Sequence, residues 1–167
     1  TGNLGDSFVG LNILKKKSFI KNKLNNYFIK KYFIPDLPLQ LQKHLPKIAN
    51  SSIDVSDGLF ADMKKLINNQ NLGFNIDLNL IPISLNLKKY VKRNRKNIIN
   101  YISRGDDYQI LFTSSKRNRD FIKTLSKRIN IKISHIGEIT NHYKVYKILK
   151  NKTPLKPLNN DGYLHKF

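Results

Sequence analysis

The segment Ile53-Asp54-Val55-Ser56-Asp57-Gly58 holds two carboxylates three residues apart, with a hydroxyl between them. It lies where an extended stretch gives way to a helical period. Hard oxygen donors of this kind suit Mg²⁺, which is usually held by one or two carboxylates together with phosphate oxygens. The helix start beyond would favour phosphate through its free N–H groups. The same residues also read as a helix cap, because Ser and Asp are preferred there and acids are common in a first turn. In a chain with 31 Lys and Arg against 11 Asp and Glu, clustered acids stand out.

Two further segments carry chemistry. Gly105-Asp106-Asp107-Tyr108 places two acids on a loop before a strand. A turn explains Gly-Asp, but adjacent carboxylates repel and are less expected in a pure turn. Gly2-Asn3-Leu4-Gly5-Asp6-Ser7 puts two glycines before a helix start, which can cradle phosphate. It is not a Walker A loop, since Gly-Lys-Ser/Thr is missing, nor a GxGxxG. No Ser/His/Asp order or Cys/His pair suggests a covalent nucleophile. Phosphoryl transfer needs none, because metal clamping and positioning can suffice.

Composition bounds the reading. The 167 residues fit one domain, and 40% hydrophobic content is enough for one core. No apolar run approaches the ~18 residues of a membrane span, and no secretory segment is recognisable. The chain has no cysteine, which excludes disulfides and thiolate zinc sites and agrees with a reducing cytosol. His44, His135, His142 and His165 are scattered and form no metal pair. The net charge of +20 is carried mostly by Lys, alongside abundant Asn and Ile and only two Ala. That pattern fits AT-rich codons and a solvated Lys surface. A nucleic-acid face would be expected to use more Arg, so a nucleic-acid partner is not expected. The chain opens on Thr1 rather than Met, and we expect a fragment that lacks an upstream partner.

These residues must be positioned by interleaved helices and strands. Asp6 or Ser7 can cap a helix from about Phe8, with Phe8, Leu11 and Leu14 on one face. Residues 15–31 continue helical with a break, and Pro35 and Pro38 end them. Residues 39–48 form a short helical candidate interrupted by Pro46, and 51–55 an extended stretch. Leu59, Met63, Leu66 and Ile67 make one apolar helical stripe. Phe74, Ile76, Leu78 and Leu80 alternate with polar residues as a strand, closed by Pro82. Leu87, Val91 and Ile98 suggest a helix to about Ile102. Residues 108–113 read as a mostly apolar, central strand. Ile122, Leu125 and Ile129 mark a helix. A strand begins at Ile131 and Ile133 and ends at Gly137, and a last one spans 143–149. The architecture is α/β or α+β, with helices packed on a mixed sheet of about four strands.

Taken in order, the motifs resemble those of the thiamine-monophosphate kinase family. That family carries Thr-Gly-Thr-Leu-Gly-Asp-Ser, then Ile-Asp-Ile-Ser-Asp-Gly-Leu, then Gly-Gly-Glu-Asp-Tyr-Glu-Leu-Leu-Phe-Thr, and ends near Gly-aromatic-x-His-Phe. The matches are Thr1-Gly2-Asn3-Leu4-Gly5-Asp6-Ser7, Ile53-Asp54-Val55-Ser56-Asp57-Gly58-Leu59, Arg104-Gly105-Asp106-Asp107-Tyr108-Gln109-Ile110-Leu111-Phe112-Thr113 and Gly162-Tyr163-Leu164-His165-Lys166-Phe167. Asp62, Pro82 and Ile136-Gly137 also match.

The resemblance implies that residues 1–167 are the C-terminal domain of such an enzyme, with its N-terminal domain absent from this chain. That domain is shared with aminoimidazole-ribonucleotide (AIR) synthetases, selenophosphate synthetases and a hydrogenase maturation factor. Its implied fold is AIR-synthetase-like, with helix/sheet/helix layers and partly ferredoxin-like topology. The implied activity is ATP- and Mg²⁺-dependent phosphorylation of thiamine monophosphate to thiamine diphosphate, by direct in-line transfer, in a cytoplasmic enzyme that is a homodimer at full length. Carried over by position, Asp54 and Asp57 resemble metal ligands and Ser56 an ATP contact. Asp106 and Tyr163 stand on the substrate side. The isolated half is expected to be inactive. Arg104 replaces a family glycine, Asp106 a glutamate, Pro35-Asp36-Leu37-Pro38 lacks the family's following Arg, and Lys166 is an extra tail residue. Alternatives are another ATP-using member of the superfamily, an inactive remnant, or a basic nucleic-acid-binding module.

Overall fold

The computed structural model describes residues 1–16, 22–67, 70–151 and 153–155. Helix α1 spans Asp6–Lys15 and packs on α2, Lys23–Phe33. A 3-10 turn at Leu39–Leu41 and the short helix α3, Leu45–Ile48, follow. Pro46 lies in the first turn of α3, where its missing N–H costs nothing. Then come β1 (Ser51–Val55), α4 (Leu59–Leu66), β2 (Gly73–Asp77), α5 (Leu85–Arg93) and α6 (Ile99–Ile102). The chain continues through β3 (Gln109–Thr113), α7 (Arg119–Arg128), β4 (Gly137–Thr140), β5 (Tyr146–Lys150) and β6 (Thr153–Pro154).

Among the described residues the strands form two sheets. β1 and β3 make an antiparallel pair, and a mixed four-stranded sheet runs β4-β2-β5-β6. In it β2 pairs antiparallel with β4 and parallel with β5. The expected α/β architecture with a mixed four-stranded sheet is therefore present. Phe74 and Ile76 of β2 are buried, as their alternation requires, beside Leu59, Phe60 and Met63 of α4. A second cluster joins Val9 and Ile13 to Phe28, Leu87 and Tyr101. A third joins Leu41 and Ile48 to Leu125. Among the described residues, no helix is long and apolar enough to cross a membrane.

Several local expectations change. The buried face of α1 is Val9 and Ile13, with Phe8, Leu11 and Leu14 half-buried. Tight packing against α2 selects it: a Cβ on Gly10 would lie 2.3 Å from the Phe28 carbonyl oxygen. The cap of α1 is Gly5, so Asp6 and Ser7 fall inside the helix and are buried. β2 stops at Asp77, whose Oδ1 accepts from Asn79 N–H at 2.9 Å and turns the chain before Leu80. The single helix expected to about Ile102 breaks after Arg93, where Arg95 takes a left-handed φ of 49°. β3, expected in the middle of a sheet, has a strand partner on one edge only among the described residues. The strand expected at Ile131 and Ile133 joins neither sheet, and β4 begins at Gly137 where that strand was to end.

Candidate functional site

The register of β1 on β3 sets Asp54 opposite Ile110 and Val55 opposite Gln109. It carries the loop after β1 directly against the loop before β3. Asp106 N–H donates to Ser56 O at 3.0 Å, and Tyr108 N–H to Val55 O at 2.9 Å. Two glycines make this approach possible. A Cβ on Gly105 would sit 1.6 Å from Ser56 O, and one on Gly58, which has φ +118°, 2.3 Å from Ser103 O. The two acidic motifs are thus locked backbone to backbone.

The third motif runs along the other edge of β3. Thr1 N donates to Ile110 O at 2.8 Å, and Ile110 N–H returns a bond to Thr1 Oγ1 at 2.8 Å. Four residues on, Gly5 N–H donates to Asp107 Oδ2 at 2.7 Å. All three segments picked out by residue chemistry therefore meet around the start of β3.

Their acids divide into two sets. Asp54 is exposed on β1, and Asp57 and Asp106 are half-buried on the loops. Asp106, Asp54 and Asp57 all act on the Tyr108 hydroxyl: partial burial raises its pKa, and the three carboxylates raise it further. Asp106 is itself raised, first by desolvation and then by Asp57. This is a crowd of like charges at one end of the β1–β3 pair.

The buried set has a different task. Asp107 is 4% exposed and takes up Gly5 N–H. Burial pushes its carboxyl up to about 8, with hydrogen bonds from Gly5 and Ser7 pulling the other way. Asp6, buried in the first turn of α1, accepts from Ser84 Oγ at 2.7 Å and Tyr27 OH at 2.8 Å. Asp62, fully buried, accepts from both Asp57 and Gly58 N–H at 3.0 Å. Two of the amides expected to favour phosphate at the start of α4 are therefore already bonded to a carboxylate. The cap of α4 is Gly58, and neither Ser56 nor Asp57 holds that position.

Lys65 bonds both Asp57 and Asp62. Sequence reasoning did not single it out, although its i,i+3 spacing from Asp62 was a usable signal. Arg104, the bulky residue in place of a family glycine, sets its guanidinium over the Phe8 ring, 5.6 Å from the centroid. In the Pro35-Asp36-Leu37-Pro38 segment, Asp36 bonds Lys31, and its carbonyl accepts from Gln109 Nε2 at 2.6 Å. Tyr163, His165 and Lys166 lie outside the described residues. Among the described residues, no group of three or more His, Asp or Glu is gathered closely enough to hold a metal ion alone.

The fold and these joined loops define a class of α/β domain that is also present in known structures. E. coli HypE, a hydrogenase maturation protein, superposes with a TM-score of 0.63 at 12% identity, which shows the shared fold. The crystal structure of thiamine monophosphate kinase from Aquifex aeolicus matches with a TM-score of 0.74 and 28% identity, covering 94% of this chain and 50% of that one. AaThiL complexed with AMPPCP and TMP matches with a TM-score of 0.75. No family model matches the chain. The thiamine-monophosphate kinase of Buchnera aphidicola subsp. Acyrthosiphon pisum is 40% identical over 154 residues, 91% of this chain and 47% of the relative. This chain is thus a homologue of thiamine-monophosphate kinases, and it spans about half the length of the curated relatives it matches.

Proposed function

We propose that this chain is the C-terminal half of a cytoplasmic thiamine-monophosphate kinase. The enzyme moves the terminal phosphoryl group of ATP directly onto the phosphate of thiamine monophosphate, giving thiamine diphosphate and ADP. One observation carries the reading above the others. Three segments far apart in sequence, each matching a kinase motif, are bonded together around the start of β3. The identity to the Buchnera relative and the neighbour complexed with AMPPCP and TMP support it.

In this reading Asp54 and Asp57 hold Mg²⁺ on the ATP phosphates, and Ser56 contacts ATP. Asp106 and Tyr163 serve the thiamine monophosphate side. Asp106, raised first by desolvation and then by neighbouring Asp57, would gain from a bound cation, so the residues present fit a divalent metal. Bound Mg²⁺ screens phosphate charges that would otherwise repel each other. Lys65 of α4 bonds the Asp57 carboxylate and fixes its position. Among the described residues no group of three or more acids is gathered closely enough to hold the metal, and in this reading the remaining ligands come from an N-terminal domain. That domain also supplies much of a homodimer interface.

The test uses the chain joined to its N-terminal half. Asp57→Asn should raise the KM for magnesium-ATP. Tyr163→Ala should weaken thiamine monophosphate binding and leave ATP affinity unchanged. Equal effects of both substitutions on both ligands would overturn the division into metal side and substrate side. Thiamine diphosphate formed by residues 1–167 alone would overturn the claim that this half is incomplete.

A further inference from the structure

Tyr108 stands on backbone that does not suit it. Its φ is 51°, in the left-handed region, and so is the 67° of Asp106 two residues earlier. The two residues bracket Asp107, whose carboxylate turns inward to Gly5. Asp tolerates this conformation and Gly adopts it freely, whereas a bulky aromatic residue rarely does. Burial does not explain the choice either. Tyr108 is 41% exposed, so the core gains little from its ring. A side chain kept where neither backbone nor packing asks for it points to a use at the surface.

Its surroundings are rich in acceptors and short of donors. Tyr108 N–H bonds Val55 O, which sets the residue beside the Asp54-Val55-Ser56 stretch. The carboxylates of Asp106, Asp54 and Asp57 all bear on its hydroxyl. Backbone donors nearby are already used. Asp57 and Gly58 N–H go to Asp62, Asp106 N–H to Ser56 O, and Arg104 N–H to Tyr101 O. The Lys65 ammonium is held by Asp57 and Asp62. By contrast, the hydroxyls of Ser56 and Tyr108 make no hydrogen bond among the described residues. A phosphate placed between these carboxylates needs donors, because its own oxygens are acceptors too.

We propose that Tyr108 binds substrate: its hydroxyl donates a hydrogen bond to the phosphate of thiamine monophosphate, the group that accepts the phosphoryl from ATP. One left-handed stretch then does two things. It buries Asp107 against Gly5, and it presents Tyr108 at the surface beside Asp106, the residue assigned to the thiamine monophosphate side. Ser56, the other hydroxyl, serves ATP, so the two hydroxyls divide the two phosphate groups between them. Partial burial and the surrounding carboxylates hold the proton on the Tyr108 oxygen, which keeps it a donor. The proposal rests on the kinase reading, and it supplies a phosphate contact that the Asp106 carboxylate, an acceptor, does not make.

The test uses the chain joined to its N-terminal half and two probes, thiamine monophosphate and thiamine, which lacks the phosphate. Titration calorimetry gives the affinities and thermal melts the stability. Tyr108→Phe should weaken thiamine monophosphate binding about tenfold, leave thiamine binding unchanged and keep Tm within about 2 °C. Tyr108→Gly suits the left-handed backbone, so it should hold or raise Tm and still weaken thiamine monophosphate binding by at least about tenfold. Thiamine monophosphate bound by Tyr108→Phe as tightly as by the wild type would overturn the hydroxyl contact. Equal losses for both probes would mean that the ring is used and not the hydroxyl, which also overturns it. A fall in Tm of more than about 4 °C in Tyr108→Gly would make Tyr108 a packing residue and overturn the assignment. A joined wild type that bound neither probe would refute the kinase reading itself, and this assignment with it, whatever the variants did.

Discussion

Asp107→Asn should flatten the pH dependence of stability. The Asp107 carboxyl is raised by burial from 3.8 to about 8, so the folded state keeps its proton at neutral pH. The unfolded chain has already lost that proton above the ordinary carboxylate range. Between about pH 4 and pH 8 the folded state therefore binds more protons, and stability falls as pH rises through that window. From pH 5 to pH 8 the span is three pH units, a ceiling of about 4 kcal/mol at about 1.4 kcal/mol per unit. Water entry and backbone relaxation around the ionised group bring this to about 2–3 kcal/mol. For a domain of this size that is a fall in Tm of roughly 4–12 °C. Asn keeps the shape and an oxygen to accept Gly5 N–H, and it does not titrate. Asp6 is raised in the same direction and stays in both proteins, so the quantity to read is the difference between them. Thermal melts at pH 5 and pH 8 measure it. Equal losses of Tm in the wild type and the variant would refute the reasoning.

Other substitutions address the joined loops. Gly105→Ala places a Cβ against Ser56 O and should destabilise by more than about 2 kcal/mol in urea unfolding, because backbone has to move on both loops. Asp62→Ala strips the acceptor from the Asp57 and Gly58 amides and should cost about 2–4 kcal/mol, with hydrogen exchange at those two amides rising most. Lys65→Met removes the cation bonded to Asp57. With the N-terminal half present it should change magnesium-ATP affinity severalfold, by titration calorimetry, and leave thiamine monophosphate affinity alone.

What the sequence made legible were features that local periodicity controls. The alternation at Phe74 and Ile76 placed β2, and the stripe from Leu59 to Ile67 placed α4, because each element buries one face against the same core. The ends were harder: β2 stops at Asp77 because a side-chain carboxylate bonds the backbone two residues on, a competition that apolar spacing does not record. The buried face of α1 differs from the expected one because half-buried Phe8, Leu11 and Leu14 outnumber buried Val9 and Ile13. The choice belongs to α2, which needs Gly10 at the crossing.

The three motifs were visible as patterns, but the roles of their acids were not. Asp106 and Asp107 are neighbours with opposite fates. Asp106 takes a left-handed φ of 67° and stays half-buried at the loop surface, while the next residue turns its carboxylate inward to Gly5. Of the acids in and beside these motifs, Asp62 and Asp107 are buried acceptors that hold the Asp57, Gly58 and Gly5 amides, and Asp6 is a buried acceptor from the Ser84 and Tyr27 hydroxyls. That leaves Asp54, Asp57 and Asp106 as the carboxylates these segments offer at the surface. In a chain of net charge +20, neutralising those three would take little from the rest of the surface, which is dominated by Lys. The helix-cap reading of Ser56 and Asp57 is not what the structure shows: the α4 cap position belongs to Gly58, and the carboxylate that bonds the amides at that helix start is Asp62.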